Sequence, residues 1–449
     1  MGTFEHDLTK GNIWKQLVKF AVPFFISNLI QSLYSLVDLI ILGHFGGTNS
    51  ISAANIGGQV LVILTNLAAG LAGGGTVMIG NYLGSKQKDK INGTISTLLI
   101  TLMVMAAVFM VLLFIFEHPL LRLLDTPDEA YGQAGQYMFI CSIGLLFIYG
   151  YNALSAIMRG LGDSRTPMIF VIIACAINII LDLVLVAGFH MGAGGAAFAT
   201  IFAQGCSMLF CILYLKRHDF MFDFRASSFH FVKEEFHTLL RCGLPLSIQM
   251  VGTNFSFLIL TTFINRAGGV DASAAAGIVN NFNGFAILPQ AAFSSAAAAM
   301  IAQNMGKGDI KRSEKTMHCC LALCLGVSVI VFALMHIFPE QIFYLFGVKA
   351  DVLVYGLPYI YAFSFEYIGL PFIMSFNTVS TATGNGWITL VANLTSAFLV
   401  RIPLAYFLAF VRGYGVSGIA AAIPLATIVG AIISFVFYLS GIWRKHVML

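Results

Sequence analysis

Residues 14–42 read WKQLVKFAVPFFISNLIQSLYSLVDLIIL. This run exceeds the ~20 apolar residues that a membrane-spanning helix needs. It is also longer than the apolar core of a signal peptide and ends in no small-residue cleavage site, so we read it as a retained first helix. Two residues in it stand out: a proline, Pro23, and a carboxylate, Asp38.

The rest of the chain has the same character. Of its 449 residues, 58% are hydrophobic and only 10% charged, with a mean hydropathy of +0.87, far from the roughly one-quarter charged residues of soluble domains. Twelve apolar runs can be drawn, near 14–42, 51–80, 92–116, 130–158, 167–189, 194–216, 237–264, 273–302, 313–338, 351–380, 388–411 and 416–441. Backbone groups in hydrocarbon need internal partners, and the alternation of a barrel strand is absent, so these runs should be helices. The expected fold is all-α, a membrane protein of twelve transmembrane helices.

Charge sets the orientation. With the N-terminus inside, only Arg122, Arg266, Lys349 and Arg412 of the 24 Lys and Arg fall outside, and Arg401 falls within a helix. The positive-inside rule therefore predicts cytoplasmic N- and C-termini, in agreement with twelve spans. A net charge of +4 without a basic tract gives no support to a nucleic-acid partner.

The longest polar interval sits mid-chain, at 216–236, and the sequence on either side repeats with a shift of 222 residues. Pro23 falls on Pro245, Ala53 and Ala54 on Ala275 and Ala276, Ile79 on Ile301, Gly84 on Gly306 and Gly162 on Gly384. We therefore expect a first lobe at 1–216, a cytoplasmic linker at 217–236 and a second lobe at 237–449. Six helices per half makes the repeat parallel in orientation, related by a pseudo-two-fold axis along the membrane normal, an architecture of alternating-access transporters.

Intramembrane carboxylates are functional candidates by default. Asp38 and Asp182 each lie five or six residues before the outer end of their runs, marked by Gly43 and Gly188. At ~1.5 Å per residue both sit roughly 8 Å below that surface. Asn178 shares a face with Asp182 one turn earlier. A sixth helix starting near Gly195 puts Thr200 at the same depth. Four oxygen-bearing side chains on one level suit a proton or a sodium ion. The repeat sharpens this, because Asp38 maps onto Leu260 and Asp182 onto Leu404. A carboxylate pair sharing one site titrates as a unit, so it could take up a proton in one conformation and release it in another.

Other chemistries find no motif. The eight cysteines lack zinc-site spacings, and no HExxH, GxSxG or Cys and His pairing occurs within the spans, so an enzyme is not expected. The GKGD at 306–309 is not a nucleotide-binding loop. ATP is then not the direct energy source, and no cofactor is expected beyond the coupling ion. Gln31, Tyr34 and Asp38 share a face of the first helix, and Asn66 lies in the second, so polar groups can line a cavity wall. Glu366 could bind a cationic substrate or pair with Arg401. The glycines at 70–75 read as close helix approach, and the RGLGDSRTP segment at 159–167 as a structural loop.

The opening segment GNIWKQLVKFAVPFFISNLIQSLYSLVDLIILGHFG, the RGLGDSRTPM after the fourth helix, the INIILD of the fifth and the GAAFAT of the sixth together resemble a multidrug and toxic compound extrusion (MATE) transporter, most closely its DinF-like bacterial branch. The resemblance covers essentially the whole chain. It implies two six-helix lobes in a V around a central cavity. The implied activity is export of cationic or amphipathic organic compounds in exchange for protons or Na+, by a monomer in the bacterial inner membrane. Carried over residue by residue, the family's cation site, which could hold Na+, corresponds to Asp38, Asn178, Asp182 and Thr200. Pro23 matches the proline where the first helix bends, a hinge candidate; Gln31, Tyr34, Asn66 and Glu366 are the substrate-binding candidates. The chain departs from family members with second-lobe acids, since the mirrored positions are apolar. A lipid-linked oligosaccharide or polysaccharide flippase of the same superfamily is the alternative. It would need a strongly basic cavity, and Arg401 is the one mid-span cation to offer.

Overall fold

The structure is a computed structural model and describes residues 4–218, 220–347 and 350–445; Lys349, one of the cations assigned to the outer side, lies outside the described residues. Among those residues there is no strand. The long helices are α1 (Ile13–Ile41), α2 (Gly47–Gly84), α3 (Lys88–Leu123), α4 (Asp128–Gly160), α5 (Arg165–Asp182), α6 (Gly192–Arg217), α7 (Lys233–Ala286), α8 (Leu288–Gly306), α9 (Ile310–Ile337), with a short α10 (Pro339–Tyr344), then α11 (Ala350–Ser364), α12 (Glu366–Ala382), α13 (Gly386–Leu394), α14 (Ile402–Tyr406) and α15 (Gly415–Ser440).

Nine segments among the described residues are long and apolar enough to cross a membrane. Two of them, Ile13–Gly84 and Lys233–Gly306, run to 72 and 74 residues. At ~1.5 Å per residue each would exceed 100 Å, against ~30 Å of hydrocarbon, so each holds two crossings. They turn at Gly47 (φ 75°) and Gly269 (φ 63°), where the left-handed backbone favours a residue without Cβ. Residues 350–382 supply the remaining crossing as the pair α11 and α12, which brings the total to twelve.

That pair differs from the single helix expected there. The chain breaks at Phe365, where the Ser364 hydroxyl donates back to the Tyr361 carbonyl at 2.7 Å. A hydroxyl bonding its own helix competes with the regular ladder. The helices also widen into π-helical turns at Leu42–Gly46, Leu183–Gly188, Thr395–Arg401 and Phe407–Val411, a distortion often found at functional positions.

The repeat is legible in the backbone itself. Left-handed residues recur with the same shift of 222: Gly47 and Gly269, Lys86 and Gly308, Asp125 and Gly347, Gly162 and Gly384.

Two compact units result, one of Met1–Asp7 with Ile26–Ser247 and one of Leu8–Phe25 with Ile248–Leu449. Both divisions fall two residues after a mirrored proline, Pro23 in α1 and Pro245 in α7. The first turns of α1 thus pack in the second unit, and the first turns of α7 in the first. In the first unit α4 is central, packed by α2, α3 and α6. Gly70 and Gly74 of α2 lie against the backbone of Ser247 and Gly243 of α7, the close approach anticipated for the glycine run. Glu235 accepts from the Tyr82 and Thr94 hydroxyls at 3.0 Å each. The RGLGDSRTP loop is capped by Asp163, whose carboxylate accepts from Arg165 N at 2.9 Å and Thr166 N at 3.1 Å.

In the second unit α12 is central, packed by α15, α9 and α8. Leu17, Phe20, Ala21 and Phe24 of α1 bury against Ala296, Met300 and Cys320 there. The opposite side of the same turns, Trp14, Val18 and Val22, is exposed. Large apolar side chains are left exposed along α1 and α3, the surface character of helices that meet lipid or a partner face.

Candidate ion site in the first unit

Asp38 comes from the outer part of α1, Asn178 and Asp182 from the last turn of α5, and Thr200 from α6. Asp182 is the final α-helical residue before the π-helical turn at Leu183–Gly188. It is fully buried, and Asn178 is 2% exposed.

The structure brings these four side chains together. The carboxyl groups of Asp38 and Asp182 face one another. A hydrogen bond between them needs a proton on one, because an ionised carboxylate can only accept. Asn178 and Thr200 are also joined, at 3.3 Å. Turning the Asn178 amide over improves every contact: its nitrogen donates to Asp182 Oδ2 at 3.1 Å, and its oxygen accepts from Thr200 Oγ1 at 3.3 Å and Thr200 N at 3.2 Å. We adopt that orientation, which sets a donor rather than an acceptor against the carboxyl.

One oxygen on each acid, Asp38 Oδ1 and Asp182 Oδ1, is buried without a hydrogen-bond partner. Buried polar atoms are nearly always satisfied, so these two oxygens call for a shared proton, a water or a small cation.

Tyr34, one turn before Asp38, faces Thr200. With Gln31, Asn178, Thr200, Tyr151 and Gln204 it lines a cavity of about 20 Å³, room for about one water. Gln31 and Tyr34 thus share this small cavity with Asn178 and Thr200. Asn66 is half-buried on α2 and lines no part of this cavity. Pro23 lies within α1, which remains helical through it.

Sequence reasoning missed Tyr137, Tyr151 and Gln204. Tyr137 of α4 stands near Asp38 and Tyr34 and fills the space over Gly57, where a Cβ would meet its ring at 2.7 Å. Its only sequence signal is a tyrosine inside the apolar YMFICSIG, which reads equally well as packing.

Glu366 opens α12 in the second unit, 8% exposed, and accepts from Thr427 Oγ1 at 3.4 Å. Arg401, 6% exposed, lies over the Phe257 ring at 4.8 Å. The two feel each other's charge, yet no ion pair among the described residues joins them. Glu366 Oε2 and Arg401 Nε and Nη1 are left buried without partners.

No cluster of three or more His, Cys, Asp or Glu that could hold a metal is found among the described residues. The eight cysteines are free thiols, seven of them buried.

Comparison with known proteins gives a consistent picture. A family model described as MatE matches residues 23–184 and again 245–407, one match per half of the repeat. The chain is 28% identical over 446 residues to "Probable multidrug resistance protein YpnP" of Bacillus subtilis (strain 168), covering 98% of both chains. It is 26% identical over 446 residues to "Probable multidrug resistance protein YoeA" of the same organism, covering 97% of this chain and 96% of that one. A solved structure described as the outward-facing conformation of a multidrug resistance MATE family transporter of the MOP superfamily superposes with a TM-score of 0.92 at 22% identity over 100% of both chains. That last likeness is one of fold.

Proposed function

The chain belongs to the MatE family, a family of multi-pass membrane transporters, and from that premise we propose that it is an efflux antiporter. It exports cationic or amphipathic organic compounds, the class suggested by the names of its multidrug-resistance relatives. The driving ion is a proton or Na+, bound at Asp38, Asn178, Asp182 and Thr200. The observation that carries this reading is the apposition of the Asp38 and Asp182 carboxyl groups, each with a buried oxygen that no donor faces.

The chemistry follows from that geometry. A bond linking Asp38 to Asp182 exists only while one proton is held, and deprotonation leaves two carboxylates side by side. Their repulsion destabilises the closed arrangement of α1 against α5 until a proton, Na+ or a cationic substrate restores balance. Asn178 and Thr200 hold the Asp182 carboxyl in register, and Tyr34 of α1 faces Thr200 of α6. A pH difference contributes ~1.4 kcal/mol per unit to each proton exchanged. In this reading the protein acts in the bacterial inner membrane with cytoplasmic termini, as a monomer. Pro23 would let α1 flex, and Glu366 would contact cargo.

The test is ethidium efflux from proteoliposomes under an imposed pH or sodium gradient, with Asp38→Asn and Asp182→Asn alongside. Efflux driven by one gradient and lost in both variants supports the reading. Gradient-driven efflux at the normal rate in two well-folded variants would end it.

A further inference from the structure

Away from the carboxyl pair, a groove of about 680 Å³ opens in the second unit, between the start of α1 and the start of α9. Its size falls within the range of small-molecule sites. Gly11, Asn12, Ile13 and Trp14 form one side, and Lys311, Arg312, Lys315 and His318 the other, with Cys319 and Asp309 completing the lining.

The charge of this groove is uncompensated. Asp309 caps α9, its carboxylate accepting from Arg312 N at 2.9 Å. The nearby Glu314 is paired with Arg444 at 2.6 Å. Neither Lys311 nor Lys315 has an ion-pair partner among the described residues. Arg312 spends its guanidinium on neutral groups, the carbonyls of Leu8, Lys10 and Gly11 and Gln16 Oε1. These bonds hold the α1 side of the groove in place without cancelling the charge, and Arg312 Nε stays buried and unpartnered. Three cations thus stand in the first two turns of a helix, whose N-terminal dipole already favours anions over cations.

The mirrored position in the first unit solves the same problem internally. There α3 begins Lys88-Asp89-Lys90, and Lys88 pairs with Glu5 at 3.6 Å. The start of α7 brings Glu234 and Glu235 where the shift of 222 places Asn12 and Ile13 of α1. Glu235 is buried against Tyr82 and Thr94. The second unit has the cations and lacks the acids.

We propose that this groove binds the phosphate of an anionic phospholipid headgroup, with Lys311, Lys315 and His318 facing the phosphate and Trp14 beside the upper acyl chain. Three features select a lipid as the source of that phosphate. The groove sits at helix ends rich in Lys, where the positive-inside count places the cytoplasmic leaflet. Trp14, 48% exposed, heads an exposed apolar stripe with Val18 and Val22, the arrangement of an interfacial aromatic anchor. Basic pockets between helices on that face are suited to anionic headgroups.

The experiment uses the full-length protein in phosphatidylcholine nanodiscs, titrated with phosphatidylglycerol and read by native mass spectrometry and thermal unfolding. The expected result is retained phosphatidylglycerol and a raised unfolding temperature in the wild type. Binding should weaken about five-fold for each of Lys311→Gln and Lys315→Gln, with Lys19→Gln, an exposed change on α1 outside the groove, as the unaffected control. Equal retention of the two lipids, or wild-type binding in the double variant, overturns the proposal. Inorganic phosphate at millimolar concentration is the second arm. If it protects as well as the lipid does and displaces it, the site takes a small anion and the lipid assignment fails.

Discussion

Gly74 is the place where the packing of the first unit can be tested most directly. A Cβ placed there would stand 2.6 Å from Gly243 N and 2.7 Å from Gly243 Cα, both backbone atoms that no side-chain rotation can move. Ordinary contact begins at 3.4 Å, so Gly74→Ala must push α2 and α7 apart by about 0.8 Å. The Ser247 hydroxyl, one turn along, donates to the Leu67 carbonyl at 2.7 Å. A displacement of that size takes it to the edge of hydrogen-bonding range. Overpacking of this kind costs ~1–3 kcal/mol, and a strained hydrogen bond adds ~1 kcal/mol, so a loss of about 2–4 kcal/mol is expected. The internal control lies on the same helix. A Cβ at Gly58 would meet nothing within 4 Å, and the backbone there is not left-handed, so Gly58→Ala should be neutral or stabilising by up to ~1 kcal/mol from helix propensity. Unfolding temperatures of the purified variants in one detergent would decide. If Gly74→Ala and Gly58→Ala unfold alike, the backbone contact assigned to α2 and α7 is wrong.

Three further outcomes follow from the geometry. In the proposed cycle the Asp38 and Asp182 pair carries one proton, so exchange for a monovalent cation should move no net charge. Clamping the membrane potential at 100 mV should then change dye accumulation less than two-fold, whereas a second proton per cycle would change it about 50-fold. Glu235→Ala strands two hydroxyls, Tyr82 and Thr94, and should cost about 2–3 kcal/mol in thermal unfolding, while Thr94→Val, which removes one donor and leaves Tyr82 bonded, should cost less than half of that. Arg401→Leu leaves Glu366 buried beside no cation and should destabilise by more than 1 kcal/mol; adding Glu366→Gln should recover most of the loss, and strict additivity of the two changes would show that they do not interact.

Much of this is legible from residue order alone, for reasons that can be named. Hydrocarbon admits few backbone solutions, so run length locates the crossings, and the constant rise of a helix puts Asp38, Asn178, Asp182 and Thr200 on one level. A single shift of 222 exposes the repeat because Pro23, Gly84 and Gly162 serve backbone roles that few other residues can fill. The interruption at Phe365 is not readable, since the backbone there stays near helical angles and no sequence signal marks it. Tyr137 and Gln204 are not readable either: depth along one helix says nothing about which face a neighbouring helix turns toward it. The separation of Glu366 from Arg401 escapes for the same reason, because two buried charges at plausible depths still need compatible rotamers to meet.

The exchange of helix beginnings has a consequence for how such a chain can be cut. Residues 8–25 are donated by the front of the polypeptide to the rear unit, and residues up to Ser247 are lent in the other direction. A fragment ending in the polar interval near Phe222 would keep a bundle missing the turns that cover Gly70 and Gly74, while its complement would lack the amphipathic plug formed by Leu17, Phe20 and Phe24. Expressed singly, either fragment exposes a trench; produced together, each carries the stopper for the other, so the gene duplication visible here yielded two halves that are alike in plan and dependent in folding.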